Sequence, residues 1–106
     1  MTPRWHLSIV AAPALGVMSV SACAATIQIT MENLVISPTE ATAKVGDTLE
    51  WINKDIFVHT ATARNGDLDV TMPPKKTVAS VLKTAGTIEY YCRFHPNMKA
   101  TLIVTP

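Results

Sequence analysis

The sequence predicts an all-β domain, a Greek-key β-sandwich of seven to eight strands. Three observations carry that prediction. Short runs alternate polar and apolar side chains with the period of a half-buried strand. Turn signals separate those runs at regular intervals, among them Gly46-Asp47, Asn65-Gly66 and Thr84-Ala85-Gly86. No segment shows the 3.6-residue periodicity of an amphipathic helix.

The elements follow in order. Residues 26–31 (Thr-Ile-Gln-Ile-Thr-Met) alternate polar and apolar positions and form a first strand. Leu34-Val35-Ile36 is a second short apolar run, ended by Ser37-Pro38. Residues 41–45 lead into the Gly46-Asp47 turn, and residues 48–53 follow as another strand. Residues 57–63 are rich in β-branched and aromatic types and carry His59. Beyond the Asn65-Gly66 turn, residues 69–72 make a brief strand that Pro73-Pro74 breaks. Residues 78–82 and 87–92 are strands, the latter with Ile88, Tyr90 and Cys92 on one face and Tyr91 on the other. The last strand is expected from about Ala100 to Thr105.

Residues 1–24 are expected to be a secretory signal peptide rather than part of the domain. Met1 to His6 carries one positive charge, residues 7–20 are mostly apolar but too short to span a bilayer, and Ala22 and Ala24 supply the Ala-x-Ala cleavage pattern. Pro13, Gly16 and the lack of a polar face argue against a buried helix there. Val20-Ser21-Ala22-Cys23 also resembles a lipobox, which would make Cys23 a lipid anchor; the satisfied Ala-x-Ala pattern favours cleavage after Ala24. Residues 25–106 then form one small domain of an exported, periplasmic protein, expected to be a monomer. Eight basic groups face eight acidic ones in it, so charge gives no case for nucleic acid or an anionic membrane. No second apolar stretch is long enough to cross a membrane.

In that domain Cys92 is the only thiol, which excludes an internal disulfide. A solitary thiol in an oxidising compartment is a hazard unless something occupies it. Cys92, His95 and Met98 fall in one seven-residue stretch, Cys92-Arg93-Phe94-His95-Pro96-Asn97-Met98, and His59 lies upstream. A thiolate, two imidazoles and a thioether are the set used by a trigonal copper site with a weak axial methionine. Helical spacing could align Cys92, His95 and Met98, but Pro96 points to a loop between two strands instead. Singly, His59 reads as a strand histidine and Met98 as core filling. Together, and with no other histidine in residues 25–106, they read as a metal site.

Ligand softness selects the metal. A thioether is a poor zinc ligand, and haem attachment needs Cys-x-x-Cys-His. Cys–His nucleophilic catalysis would want an orienting third group, and none is evident. Copper remains: one ion cycling between Cu(I) and Cu(II), with His59, Cys92, His95 and Met98 as its ligands. Four protein ligands leave no ready position for substrate, so the chain is not expected to be an enzyme. The competing reading is copper binding or delivery without electron transfer. Such proteins favour Met- and His-rich exposed sites, whereas residues 25–106 hold three methionines and two histidines.

At these residues the chain resembles the cupredoxins (small blue copper proteins), closest to their amicyanin/plastocyanin-like group. The resemblance runs through Gly46-Asp47-Thr48-Leu49-Glu50-Trp51-Ile52-Asn53, His59-Thr60, and the stretch from Gly86 to Met98. The two-residue gap between His95 and Met98 is similar to the amicyanin-like members, plastocyanin-like loops being longer. The resemblance implies that His59, Cys92 and His95 are strong copper ligands and Met98 the weak axial one. It also implies one-electron transfer between redox partner proteins. His95 is the expected electron port, with Phe94 and Pro96 as an apolar docking patch and Tyr91 as a candidate second port. Two departures bear on loop rigidity. Thr60 and Arg93 stand where many members have Asn and Ser or Thr, whose side chains tie the two ligand loops together. Ala100 stands where a glycine is common.

Overall fold

The computed structural model describes residues 23–106. The expected leader therefore lies outside the described residues, apart from Cys23 and Ala24. Nine strands form: β1 Thr26–Glu32, β2 Val35–Ser37, β3 Glu40–Lys44, β4 Thr48–Asn53, β5 His59–Ala63, β6 Asp69–Met72, β7 Thr77–Val81, β8 Gly86–Cys92 and β9 His95–Thr105. They build two sheets, a four-stranded one in the order β2-β1-β4-β7 and a five-stranded one in the order β3-β9-β8-β5-β6. No helix among the described residues is long and apolar enough to cross a membrane.

The all-β sandwich is as predicted; the strand count is nine because the segments on either side of Ser37-Pro38 go to different sheets. β2 pairs back on β1, whereas β3 crosses to run parallel with β9. The turn joining β1 to β2 carries no glycine. Asn33 and Leu34 both take positive φ, 53° and 61°, as a two-residue I′ hairpin requires. The carboxylate of Asp55 holds that turn, accepting the N–H of Asn33 at 2.7 Å and of Leu34 at 3.0 Å.

Period-2 alternation decides what is buried. β4 turns Leu49, Trp51 and Asn53 inward, and β8 turns Ile88, Tyr90 and Cys92 toward them from the other sheet. Trp51 meets Tyr90 edge to face with ring centroids 5.4 Å apart, stitching the sheets at their centre. The indole N–H of Trp51 is satisfied by the hydroxyl of Ser80 at 2.9 Å.

The last strand begins earlier than the sequence predicts, at His95 instead of near Ala100. β8 and β9 form a hairpin in register Tyr90↔Ala100 and Tyr91↔Lys99, interrupted by an irregularity between Tyr91 and Cys92 that leaves Cys92 opposite His95. Pro96 is accommodated beside that irregularity, where a missing N–H interrupts no regular ladder. The stretch read as a ligand loop is thus a tight turn at Arg93-Phe94 between two strand ends.

Candidate metal centre

Three strand ends meet at one corner of the sandwich. His59 opens β5, Cys92 closes β8 and His95 opens β9. His59 and Cys92 are wholly buried and His95 is half-buried. The Sγ of Cys92 lies 3.7 Å from Nδ1 of His59 and 3.7 Å from Nδ1 of His95. The three donor atoms all fall within 4.8 Å of one another. With metal–sulfur and metal–imidazole bonds of about 2.3 and 2.0 Å, a 3.7 Å separation subtends roughly 120° at a shared ion. That angle fits a trigonal or tetrahedral site. Of the four residues the sequence singled out, the structure brings the donor atoms of these three together. It buries the fourth, Met98, three residues along β9 on the inward side with Ala100 and Leu102.

His59 is oriented by a residue that sequence reasoning missed. Its Nε2 is 2.8 Å from Oδ2 of Asp55, so Nε2 carries the proton and the Nδ1 lone pair faces Cys92. Burial opposes ionisation of Asp55, but the hydrogen bond from His59 and the N–H groups of Leu34 and Asn33 outweigh it and hold the carboxyl below the ordinary carboxylate range. The loop that carries Asp55 is set by Asn53, which is 2% exposed. Its Oδ1 accepts the Asp55 N–H at 2.9 Å, and its Nδ2 donates to the carbonyls of Phe57, Met72 and Pro73. The sequence signal was Asn-x-Asp just ahead of a histidine-bearing strand. Nothing in its spacing says that the carboxylate folds back onto the ring.

The tie between the ligand segments is present despite the departures at Thr60 and Arg93. The hydroxyl of Thr60 accepts the backbone N–H of Arg93 at 2.9 Å and the hydroxyl of Thr62 at 3.0 Å. The N–H of Thr60 points at the Sγ of Cys92, 3.4 Å away. The side chain at position 93 takes no part, so arginine is tolerated there and reaches Asp69 at 4.0 Å across an exposed surface. Ala100 is buried opposite Tyr90 and serves in place of a glycine.

Exposed apolar side chains lie beside His95. The Phe57 ring lies 5.7 Å from the His95 ring, and Ile56, Phe57 and Phe94 are 71%, 48% and 59% exposed. Tyr91, on the outer face of β8, is half-buried beneath the guanidinium of Arg64, which sits 4.7 Å from its ring centroid.

A two-sheet β-sandwich with a Cys-His-His corner at one end defines a cupredoxin, and the Cupredoxin-like domain family matches residues 6–104, so the chain belongs to that family. Particular relatives are similar at lower identity. The methylamine utilization protein MauL of Methylorubrum extorquens is 30% identical over 94 residues, covering 85% of this chain and 82% of its own. Amicyanin of Paracoccus versutus is 28% identical over 71 residues, covering 61% of this chain and 54% of its own, so the chain spans about half of that relative. Among solved structures, a reduced Cu(I) form of an amicyanin variant at pH 4 superposes with a TM-score of 0.67 at 27% identity, covering 74% of this chain and 81% of the amicyanin. A Cu(I) form of another amicyanin variant gives 0.68 at 26% identity, covering 79% and 86%.

Proposed function

We propose that this protein is a periplasmic electron carrier, shuttling one electron through a single type 1 copper centre between redox partner proteins. The observation that carries the reading is the placement of the Cys92 sulfur at 3.7 Å from two imidazole nitrogens in a buried corner. His59, Cys92 and His95 would hold the copper, and Met98 would supply a further, softer donor. When bound, the copper supplies a one-electron cycle between Cu(II) and Cu(I). The chain's own residues do the rest. Asp55 fixes the ring of His59, and the N–H of Thr60 steadies the Cys92 sulfur. The Arg93 N–H bond to Thr60 holds the two ligand segments at fixed separation whichever valence is present. Burial keeps water from the ligands.

The half-buried His95, with the Phe57 ring beside it and exposed Phe94 and Pro96 flanking it in the chain, is the electron port, and these apolar side chains are the docking patch for a partner's redox centre. Arg64 covers Tyr91, which favours His95 over Tyr91 in that role. Burial of His59, Cys92 and Met98 favours a metal that cycles in place over one handed to an acceptor, and no substrate position remains for catalysis. Export follows from the leader pattern in residues 1–24.

The test is an absorption spectrum of the purified, copper-loaded protein. An intense blue thiolate-to-Cu(II) band is expected, bleached by reductant and restored by oxidant, and Cys92→Ala abolishes it. A colourless copper complex, or a band that survives Cys92→Ala, refutes the assignment.

A further inference from the structure

We propose that cleavage between Ala24 and Ala25 gives the exported chain a terminal ammonium that docks on the buried carboxylate of Asp47, so that loss of the leader itself tightens the fold. The inference rests on the export reading for the position of the cut, and on the geometry of Asp47 for everything else.

Ala25 is the residue at which the chain becomes knit into the sandwich. Its carbonyl accepts the N–H of Thr48 at 2.9 Å, one step before the β1–β4 ladder begins at Thr26↔Thr48. Its nitrogen lies 2.9 Å from Oδ1 of Asp47. Cys23 and Ala24, just before it, are exposed and precede the first strand. The Ala-x-Ala signature thus ends where regular pairing starts.

Asp47 is a prepared acceptor. It is 6% exposed, and its second oxygen accepts the N–H of Lys44 at 2.9 Å. The N–H groups of Ala25 and Lys44 hold its carboxyl below the ordinary range against the opposing effect of burial, with a smaller contribution from the Lys44 charge. At this corner Gly46 N–H donates to the Leu82 carbonyl, and Leu82 N–H donates to the Asp47 carbonyl. Glu50, further along β4, is engaged by Gln28 instead. Lys83 is exposed. In the uncut chain, Asp47 therefore receives a neutral amide from Ala25. In the cut chain it receives a cation at the same place, and charge-assisted hydrogen bonds are the stronger kind.

The step balances simply. A leader peptidase hydrolyses the Ala24–Ala25 amide with one water, leaving a carboxylate on Ala24 and an amine on Ala25 that takes a proton from solvent. An α-ammonium ordinarily titrates at about 7.7–8.0, and pairing with a carboxylate raises that value. The stabilisation is therefore fully present below the ordinary value and is lost as pH rises through the raised one.

Two measurements test the cut and the docking separately. The intact mass of the protein recovered from an exporting cell should be that of residues 25–106. A lipid-modified chain beginning at Cys23, or any other start, overturns the cut. Independently, urea unfolding of chain 25–106 is compared with its Nα-acetylated twin, which keeps the Ala25 N–H and Asp47 but loses the charge. The free-amine chain should have an unfolding constant about three- to tenfold smaller at pH 6, and the difference should vanish above the ammonium's titration. In Asp47→Asn the gap between free and acetylated chains should be absent at every pH. Equal stability of the two Asp47-containing chains at pH 6 overturns the docking whatever the mass shows.

Discussion

Asp55 joins two features that lie far apart in the sequence. One carboxylate holds the I′ turn at Asn33-Leu34 and the far nitrogen of His59, so a hairpin tip and a candidate metal ligand share a single anchor. Asp55→Ala is expected to weaken copper binding by about 10–100-fold, as loss of a group that orients a ligand histidine typically does. It should also lower apo-protein stability by about 1–3 kcal/mol through orphaned donors. Competitive chelator titration reads the first effect and urea unfolding the second. A variant with unchanged copper affinity would reduce the carboxylate to a turn anchor. Asp55 was illegible in the sequence because its role depends on a loop folding back. The convergence of His59, Cys92 and His95 was legible, because a thiol and two imidazoles are rare enough in this chain to stand out together.

At the scale of elements, β8 is the strand that joins core to site. It sends Tyr90 against Trp51 and, two residues on, Cys92 into the metal corner. The hydroxyl of Tyr90 is buried with no protein partner, and burial pushes its pKa up, so it stays a neutral phenol. Tyr90→Phe keeps the edge-to-face contact and removes that uncompensated group. It should therefore raise stability by about 1 kcal/mol, measured as a higher urea midpoint with the copper spectrum unchanged. A lower midpoint would mean that the hydroxyl is satisfied in solution. The neighbouring hairpin marks where sequence reading fell short. Pro96 reads as the end of regular structure, yet β9 starts at His95 because the ladder is irregular there and can absorb a missing donor. Leu34 at positive φ is a similar case, since the residue type argues against the turn and a distant carboxylate supports it.

The whole molecule separates its tasks. β4 runs from the Asp47 corner, where the chain enters the fold, to Asn53, which shapes the loop beside His59. Both ends use a carboxylate with a depressed pKa. For each, stability is present above about pH 3.9, the unfolded value, and is lost as pH falls through the lower folded value. Apo-protein stability should therefore decline below about pH 4, and Asp47→Asn should flatten that decline. An unchanged acid limb in the variant would contradict it. The exposed apolar side chains beside His95 make a further prediction for function. Phe94→Glu places a charge on the exposed surface next to His95 while leaving the four candidate ligands unchanged, so electron exchange between copies should slow by about tenfold while the absorption band stays in place. Exchange as fast as in the parent protein would move the port elsewhere.

Residue order is enough for the fold class, and it is enough to nominate four candidate donors. Alternation with period two dictates which residues turn inward, and a thiolate, two imidazoles and a thioether carry their preference for copper wherever they converge. Only the tertiary structure decided how His59 is held, how Thr60 replaces the usual tie, and that the ligand stretch is a strand-end hairpin. Those features depend on contacts between residues some three to thirty-three positions apart, whose geometry is set by folding and not by order along the chain.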